Sequence, residues 1–518
     1  MTMLDPTCGA VRLLSRAADH GVSICFANPG TTELALTAAF DAETRIRPIL
    51  CGFEGVCSGA ADGYGRMLDR PALTLTHLGP GFANALANLH NARRADSPVI
   101  NLIGDHTSTH LKYDTPLTSD IAALAHTVSR YVGTVAHADD AVPQFDAAIG
   151  ATRYAQSRVA TLIFPADFQQ HSAAVPAPFA AASPPARSEV YLDHLERAAA
   201  ALRDGTRALL LLHPRAACAA GTRLAGEIAQ ATGCEVAYGA TPARCERGRS
   251  HYAIARVPYF PEPARAYLDG FRHVILVGAR PPVTYFGYEG QDSELVAAER
   301  LQPFAAVDDD LLAALRALHA EIGAVNGAAV PMAPAAPAPT GMAARVCERV
   351  AALLPEDAIV TIEGSTFGGP FQAHSAAAAP HSELALPGGA IGMGLPCALG
   401  AAVACPDRKV VALQSDGSAM YTLQALWTMA REQTDVVVII AANRRYQILQ
   451  TEMARIGDLS AMPVSAAMTQ LQAPHLDWCG IARASGVAAY RVDAAEAFDQ
   501  AFKACLATRG PTLIEVLC

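Results

Sequence analysis

Apolar positions in this chain cluster into short runs separated by segments of helical period. In the first part of the chain the runs are Ser23–Ala27, Ile46–Cys51, Leu73–His77 and Val99–Gly104. Runs of this length predict strands buried on both faces, as in parallel sheets. Between them, helices are predicted from Thr32, from Glu54 and from Phe82. Strict alternation of strand and helix predicts an α/β fold with helices on both faces of each sheet. The C-terminal part repeats the pattern. Val410–Gln414 and Val436–Ile440 flank a helix over Thr422–Gln433, with Leu423, Leu426, Trp427 and Ala430 on one face. The middle part contributes Ala208–Leu212, Cys234–Tyr238 and His273–Gly278 with helices between. Its Gly278-Ala279-Arg280-Pro281-Pro282 turn lacks the glycine spacing of a dinucleotide fingerprint.

Two Ala/Pro-rich stretches, from Ser172 to Arg187 and from Val330 to Pro339, read as semi-rigid linkers. They divide the chain into expected domains at 1–172, 188–325 and 341–518. A length of 518 residues is too great for one core and agrees with three α/β domains, each a doubly wound parallel sheet. The formal charge of −10 and the absence of a basic run argue against a nucleic-acid partner. No apolar run approaches the ~20 residues that a membrane span needs. Met1-Thr2-Met3-Leu4-Asp5 shows no basic segment leading into an apolar one, so no signal peptide is expected. The 13 cysteines are scattered without CxxC spacing, and Cys25, Cys51 and Cys397 fall inside apolar elements. Reduced, buried thiols in a cytoplasmic protein are expected rather than disulfides or zinc.

Chemistry concentrates at Asp416 and Asn443, 27 residues apart, each at the end of an apolar run. A strand–turn–helix–strand unit puts both at the carboxyl ends of parallel strands, where α/β sheets bind ligands. One carboxylate, one amide oxygen and a nearby backbone carbonyl, assigned to Arg445, suit Mg²⁺ that shares its remaining positions with phosphate and water. Gly417 lets the backbone approach an anion, and Ser418 lies where a helix N-terminus favours phosphate. The competing reading is a pair of ordinary strand-end turns, because Asp-Gly and Asn are common turn residues.

These residues resemble the thiamine-diphosphate motif Gly-Asp-Gly-Ser … Asn-Asn, with Ser415 and Ala442 in place of its first glycine and first asparagine. A second match is Glu54-Gly55-Val56-Cys57-Ser58-Gly59-Ala60-Ala61-Asp62-Gly63-Tyr64-Gly65-Arg66, similar to the activating-glutamate helix of thiamine-diphosphate enzymes. The resemblance implies that Glu54 bonds the pyrimidine N1′ and shifts the 4′-amino group toward its imino tautomer, which removes the thiazolium C2 proton. Without it, Glu54 reads as a helix N-terminal acid stabilised by the helix dipole. Asn28-Pro29-Gly30-Thr31-Thr32-Glu33 and Thr74-Leu75-Thr76-His77-Leu78-Gly79-Pro80-Gly81 are similar to segments of benzoylformate decarboxylases and acetolactate synthases. Gly388-Gly389-Ala390-Ile391-Gly392-Met393-Gly394 looks like the loop under the cofactor. There Gly389 is a cofactor contact and Ile391 the wedge that bends the cofactor. Ser365, Thr366 and Tyr446 are further implied cofactor contacts.

The resemblance implies three domains (pyrimidine-binding, middle and diphosphate-binding) and cofactors thiamine diphosphate and Mg²⁺. Nothing in the sequence indicates FAD. It also implies a homodimer or homotetramer, with active sites at the interface. His77 is the candidate proton donor or acceptor, or else a strand-end core histidine. Thr31 either contacts a substrate carboxylate or, with Glu33 near the helix start, caps the following helix. His106 and His110 are loop histidines near the expected pocket. Arg444, Arg445, Gln447 and Arg455 either shape an entrance for an anion or are solvated. Asp62 reads as structural. The segment Ala279 to Tyr288 holds no histidine, unlike benzoylformate decarboxylases, and Tyr285 or Phe286 falls near that place. The expected activity is 2-oxo acid decarboxylation or carboligation of the benzoylformate decarboxylase type, through a carbanion on C2 and with an aldehyde or ketone as possible acceptor. The alternatives are an acetolactate synthase-like carboligase and a catalytically silent binding protein of the same fold.

Overall fold

The computed structural model describes residues 5–180, 192–331, 336–458 and 461–518. The N-terminal sheet is built from β1 (Ile24–Asn28), β2 (Arg47–Leu50), β3 (Ala72–His77), β4 (Val99–Asp105), β5 (Tyr131–Thr134) and β6 (Val159–Pro165). Their order is β2-β1-β3-β4-β6-β5, and all the pairings are parallel. The middle sheet uses β7 (Ala208–Leu212), β8 (Glu235–Tyr238), β10 (Ala255–Arg256), β11 (His273–Val277) and β12 (Leu301–Ala305), in the order β10-β8-β7-β11-β12. The C-terminal sheet runs β17-β18-β16-β15-β13-β14-β9. Its strands are β13 (Ala358–Ile362), β14 (His381–Leu384), β15 (Val410–Ser415), β16 (Val436–Ala442), β17 (Ala488–Val492), β18 (Thr512–Leu517) and β9 (Cys245–Arg247). The continuous apolar runs are sealed as expected: β7 and β16 are buried along their whole length.

β9 departs from the boundaries expected from the linkers. It comes from the middle segment but pairs antiparallel with β14 of the C-terminal sheet. The physical reason is the buried Glu383 in β14, which accepts from Arg256 and lies 3.7 Å from Arg247. Both arginines are carried by the middle segment, and a buried charge needs its partners. A second junction involves all three parts. Arg66 pairs with Asp62 one helical turn earlier and donates to the carbonyls of Ala243 (3.1 Å) and Ala385 (2.6 Å). Asp62 is thus structural, as expected.

The helix Glu54–Leu68 is buried nearly all round because it lies between the N-terminal sheet and the helix Gly394–Ala404. That approach requires glycine: a Cβ on Gly400 would stand 1.9 Å from the Ala60 carbonyl oxygen.

Two local expectations change. The helix expected from Phe82 begins at Leu78 and runs to Arg94, so Gly79-Pro80-Gly81 is its first turn rather than a separate loop. Proline is tolerated there because the first-turn N–H groups have no intrahelical partner. The helix expected over Thr422–Gln433 is only Ala425–Glu432, and Trp427 is 39% exposed rather than on the packed face. Among the described residues no helix is long and apolar enough to cross a membrane.

Candidate active site

One group of side chains gathers at the carboxyl ends of β1, β3 and β4. Glu54 opens its helix 8% exposed, and its Oε2 accepts from Asn84 Nδ2 at 3.0 Å. Gly81 lies against the same carboxylate: a Cβ there would stand 2.9 Å from Glu54 Oε1 and 3.4 Å from His77 Cβ. The Leu78–Arg94 helix therefore brings Glu54 and His77 together beside one glycine. His77 ends β3, and its ring lies flat against Gly30, where a Cβ would meet Cγ at 2.2 Å.

His77 Nδ1 lies 2.8 Å from Glu33 Oε2, and Glu33 is fully buried. Glu33 also accepts from the Gly30 N–H (2.8 Å) and from Thr32 Oγ1 (2.7 Å). The capping role expected of Glu33 is present, but so is a histidine partner 44 residues away that no local pattern announces. A carboxylate at Nδ1 fixes the tautomer and leaves Nε2 as the nitrogen available to a ligand. Thr31 lies exposed at the start of the short 3₁₀ turn Thr31–Glu33, while Thr32 reaches His77 Nδ1 at 3.3 Å. His106 Nε2 bonds Thr115 Oγ1 at 3.1 Å, and the His110 ring lies tilted against those of His106 and Tyr113 in the same loop.

A second group gathers at the carboxyl ends of β13, β15 and β16. Asp416 and Asn443 follow adjacent parallel strands in register, Ser415 opposite Ala441. Asp416 is 2% exposed, and burial pushes its carboxyl above the usual range although the N–H groups of Arg444 (2.7 Å) and Gly417 (2.9 Å) bond it. Asn443 Oδ1 accepts from the Arg445 N–H at 3.1 Å, and its Nδ2 donates to Thr366 Oγ1 at 2.9 Å. Ser365 and Thr366 begin the helix Ser365–Ser375. A cavity of about 440 Å³ opens beside Ser365, Thr366, Asn443, Arg445 and Gln447. Arg445 points its side chain to the exterior, so its contribution to this group is main-chain. Tyr446 packs its ring over Gly417, where a Cβ would stand 2.6 Å from it. Ser418 Oγ donates to the Ser415 carbonyl at 3.1 Å and accepts from Gln414 Nε2 at 2.9 Å. The donors are oxygens only, and the buried carboxylate has no salt-bridge partner among the described residues. That combination fits a hard divalent cation with open positions left for phosphate and water.

The loop that carries Ile391 lies near this second group. Gly389 approaches Tyr285 of the middle segment so closely that a Cβ would stand 2.1 Å from the phenol oxygen. Tyr285, from the segment without a histidine, thus packs against the Ile391 loop. Arg455 is bonded to Glu262 (2.6 Å) and lies over the rings of Phe260 and Tyr288, so it latches its helix to the middle segment.

Sequence reasoning missed Glu33 as a histidine partner, Asn84, and the buried Glu363 behind the Ile391 loop. Glu363 had a usable signal: it is a lone acid ending an apolar strand, as Asp416 nearly is.

Residues 9–126 match the family model for the N-terminal TPP binding domain of thiamine pyrophosphate enzymes, and residues 372–516 match the model for the C-terminal TPP binding domain. The chain is 44% identical over 512 residues to a Mycobacterium tuberculosis protein titled "Putative acetolactate synthase large subunit IlvX", covering 98% of each. It is 28% identical over 524 residues to a benzoylformate decarboxylase of Pseudomonas aeruginosa, covering 96% of each. The fold superposes on a thiamine diphosphate-dependent 4-hydroxybenzoylformate decarboxylase of Rhodococcus jostii with TM-score 0.87 at 24% identity, over 98% of this chain and 99% of that one. With both binding-domain models matched and a relative of this similarity along its length, the chain belongs to the thiamine pyrophosphate enzyme family.

Proposed function

We propose that the chain is a thiamine-diphosphate- and Mg²⁺-dependent enzyme of the benzoylformate decarboxylase type, which decarboxylates a 2-oxo acid and joins the remaining fragment to an acceptor aldehyde or ketone. The observation that carries this reading is the buried Glu54 carboxylate, held by Asn84 and brought near His77 beside Gly81, in a chain that also presents the Asp416–Asn443 turn. When bound, thiamine diphosphate supplies an acidic carbon that adds to the 2-oxo carbonyl and accepts the electron pair freed by loss of CO₂. Glu54 would hold a proton against the pyrimidine nitrogen, and Asn84 keeps its carboxylate oriented. Asp416, Asn443 and the Arg445 main chain would hold Mg²⁺. Gly417, Ser418, Ser365, Thr366 and Tyr446 would surround the diphosphate. Ile391 and Gly389 would support the ring system. His77, with Nδ1 engaged by Glu33, offers Nε2 to move a proton at the substrate. Thr31 stands at the rim of that group and would meet only a substrate that reaches out of it.

A second copy of the chain would complete the site. Among the described residues no hydrogen bond or ion pair joins the Glu54 group to the Asp416 group. Tyr421, Leu449, Ile456 and Met468 leave apolar surface exposed on the segments around the Asp416 turn, which supports a dimer or tetramer closing over it. The free cysteines, most of them buried, suit a reducing compartment such as the cytoplasm.

An acetolactate synthase-like carboligase is the second reading, supported by the 44% identity to the mycobacterial protein. Both readings share the first steps and differ in product. The test supplies a 2-oxo acid with and without an acceptor and quantifies both products by chromatography. Glu54→Gln should retain the fold and most cofactor affinity yet lose C2 hydrogen–deuterium exchange by orders of magnitude. Exchange at the unmodified rate in that variant would remove Glu54 from the mechanism. His77→Ala should slow aldehyde release more than carbon–carbon bond formation, because the segment Ala279 to Tyr288 offers no second histidine.

A further inference from the structure

The loop Gly388–Gly394, which presents Ile391, is gripped from two sides by buried polar side chains. On one side stands a single face of the helix Leu78–Arg94. Asn91 Nδ2 donates to the Ala390 carbonyl at 2.8 Å and its Oδ1 accepts from the Ala390 N–H at 3.3 Å. Asn88 Nδ2 donates to the Gly392 carbonyl at 3.2 Å, and His90 Nε2 lies 3.1 Å from the Gly388 carbonyl. Asn91 also donates to Asn88 Oδ1 at 3.0 Å, so the two amides set one another's orientation. Both asparagines are buried, at 0% and 2% exposure.

On the other side stands Glu363, 1% exposed, just past β13. Its two oxygens accept from the N–H groups of Gly392 and Gly394, each at 2.5 Å, and from Gln414 Nε2 at 2.8 Å. Gln414 passes the connection on to Ser418 in the Asp416 turn. Each neighbour of Ile391 thus has both its N–H and its carbonyl engaged by side chains, which fixes the peptide in space at Ile391. The same helix carries Asn84, which orients Glu54, and Asn84, Asn88 and Asn91 are spaced four and three residues apart along one stripe.

We propose that Asn91, Asn88 and Glu363 are positioning residues that fix the seat of Ile391, and that the asparagine stripe makes this seat depend on the helix that orients Glu54. The proposal rests on the thiamine diphosphate reading above. If two chains pair as proposed there, Glu54 and Ile391 of one chain serve different sites, and the stripe links them within a subunit. Hydrogen bonds to buried groups are costly to lose, so loosening the seat weakens anything that must press on Ile391.

The test is a double-mutant cycle on thiamine diphosphate binding, read by calorimetry with Mg²⁺ present, together with hydrogen exchange of peptides across 386–394 in the cofactor-free protein. Asn91→Ala should weaken binding about ten-fold, the size expected for one buried hydrogen-bond pair. It should also raise exchange across 386–394 while leaving exchange in β16 unchanged. On an Ile391→Ala background, Asn91→Ala should add less than about two-fold, because the group it positions is gone. Where Asn91→Ala does not fold, Glu363→Gln is substituted in the same cycle: its amide sets a donor against a backbone N–H, and the same pattern is expected. Full additivity of the two effects, or exchange across 386–394 equal to that of the unmodified protein, overturns the proposal while leaving the cofactor reading in place. Unmodified protein that takes up no thiamine diphosphate overturns that reading and this proposal together.

Discussion

Two glutamates on neighbouring parallel strands, Glu363 just past the end of β13 and Glu383 inside β14, are both sealed from solvent and sit in opposite electrostatic surroundings. Burial alone would raise both carboxyls. At Glu363 it does: Gln414 and the N–H groups of Gly394, Gly392 and Met393 offset it only in part, and the carboxyl stays above the usual range. At Glu383, Arg256, the hydrogen bond from His381, and Arg247 outweigh the burial and hold the carboxyl well below that range. Full charges surround the glutamate that fastens the middle segment to the C-terminal sheet. Only dipoles surround the one that holds the loop of the candidate site. Charges lock an arrangement, because separating them strands an ion in the interior. Dipoles hold the loop in place without setting a charge against the candidate site.

The largest test of this contrast is Glu383→Ala, which leaves two buried guanidinium groups without their carboxylate. It should cost about 3–5 kcal/mol of stability in chemical denaturation. A loss below about 1 kcal/mol would mean that the charges at Glu383 do not hold the junction. Glu363→Gln should cost less, about 1–3 kcal/mol, since it removes a neutral-donor network. Thiamine diphosphate binding should weaken there and remain normal in folded Glu383→Gln protein.

Acidification sharpens the pair further. Glu383 has a lowered folded-state pKa, so its stabilisation is present above the unfolded carboxylate value, about 4.3, and is lost as pH falls toward the folded one. Glu363 has a raised one, so its stability contribution is complete at low pH and is lost as pH rises through the folded value. Between pH 7 and pH 4, Glu363→Gln should therefore steepen the fall in melting temperature, and below about pH 4 Glu383→Gln should flatten it. Parallel curves for both variants would contradict the assignment of opposite shifts. The smallest effect expected is that of salt. Raising ionic strength to 1 M should leave the buried Glu383 junction nearly untouched, whereas the half-exposed Arg455–Glu262 latch should weaken. The melting temperatures of Glu383→Gln and Arg455→Gln variants across a salt series separate the two.

The strand runs, their parallel pairing and the placement of Asp416 and Asn443 at adjacent strand ends were legible, because burial on both faces imposes continuous apolar stretches that a linear reading detects. The Glu54 helix was legible for another reason, its resemblance to the activating-glutamate helix of thiamine-diphosphate enzymes. Trp427 misled, because an apolar face on a short amphipathic segment does not say whether this chain or another surface covers it. The Gly79-Pro80-Gly81 start of the Leu78–Arg94 helix misled as well, because turn residues are equally at home in a helix's first turn.

The sequence by itself determined the alternation of strands and helices, the family to which the motifs point, and the residue types available for cofactor chemistry. All of these are written in neighbouring positions. Tertiary structure alone decided which acid meets His77, which amides hold the Ile391 loop, that Tyr285 stands against Gly389, and that β9 leaves its own segment to pair with β14. Each of these joins residues tens to hundreds of positions apart. Such contacts depend on the register in which sheets and helices pack, and a buried charge or amide accepts whichever partner that packing brings within hydrogen-bond distance.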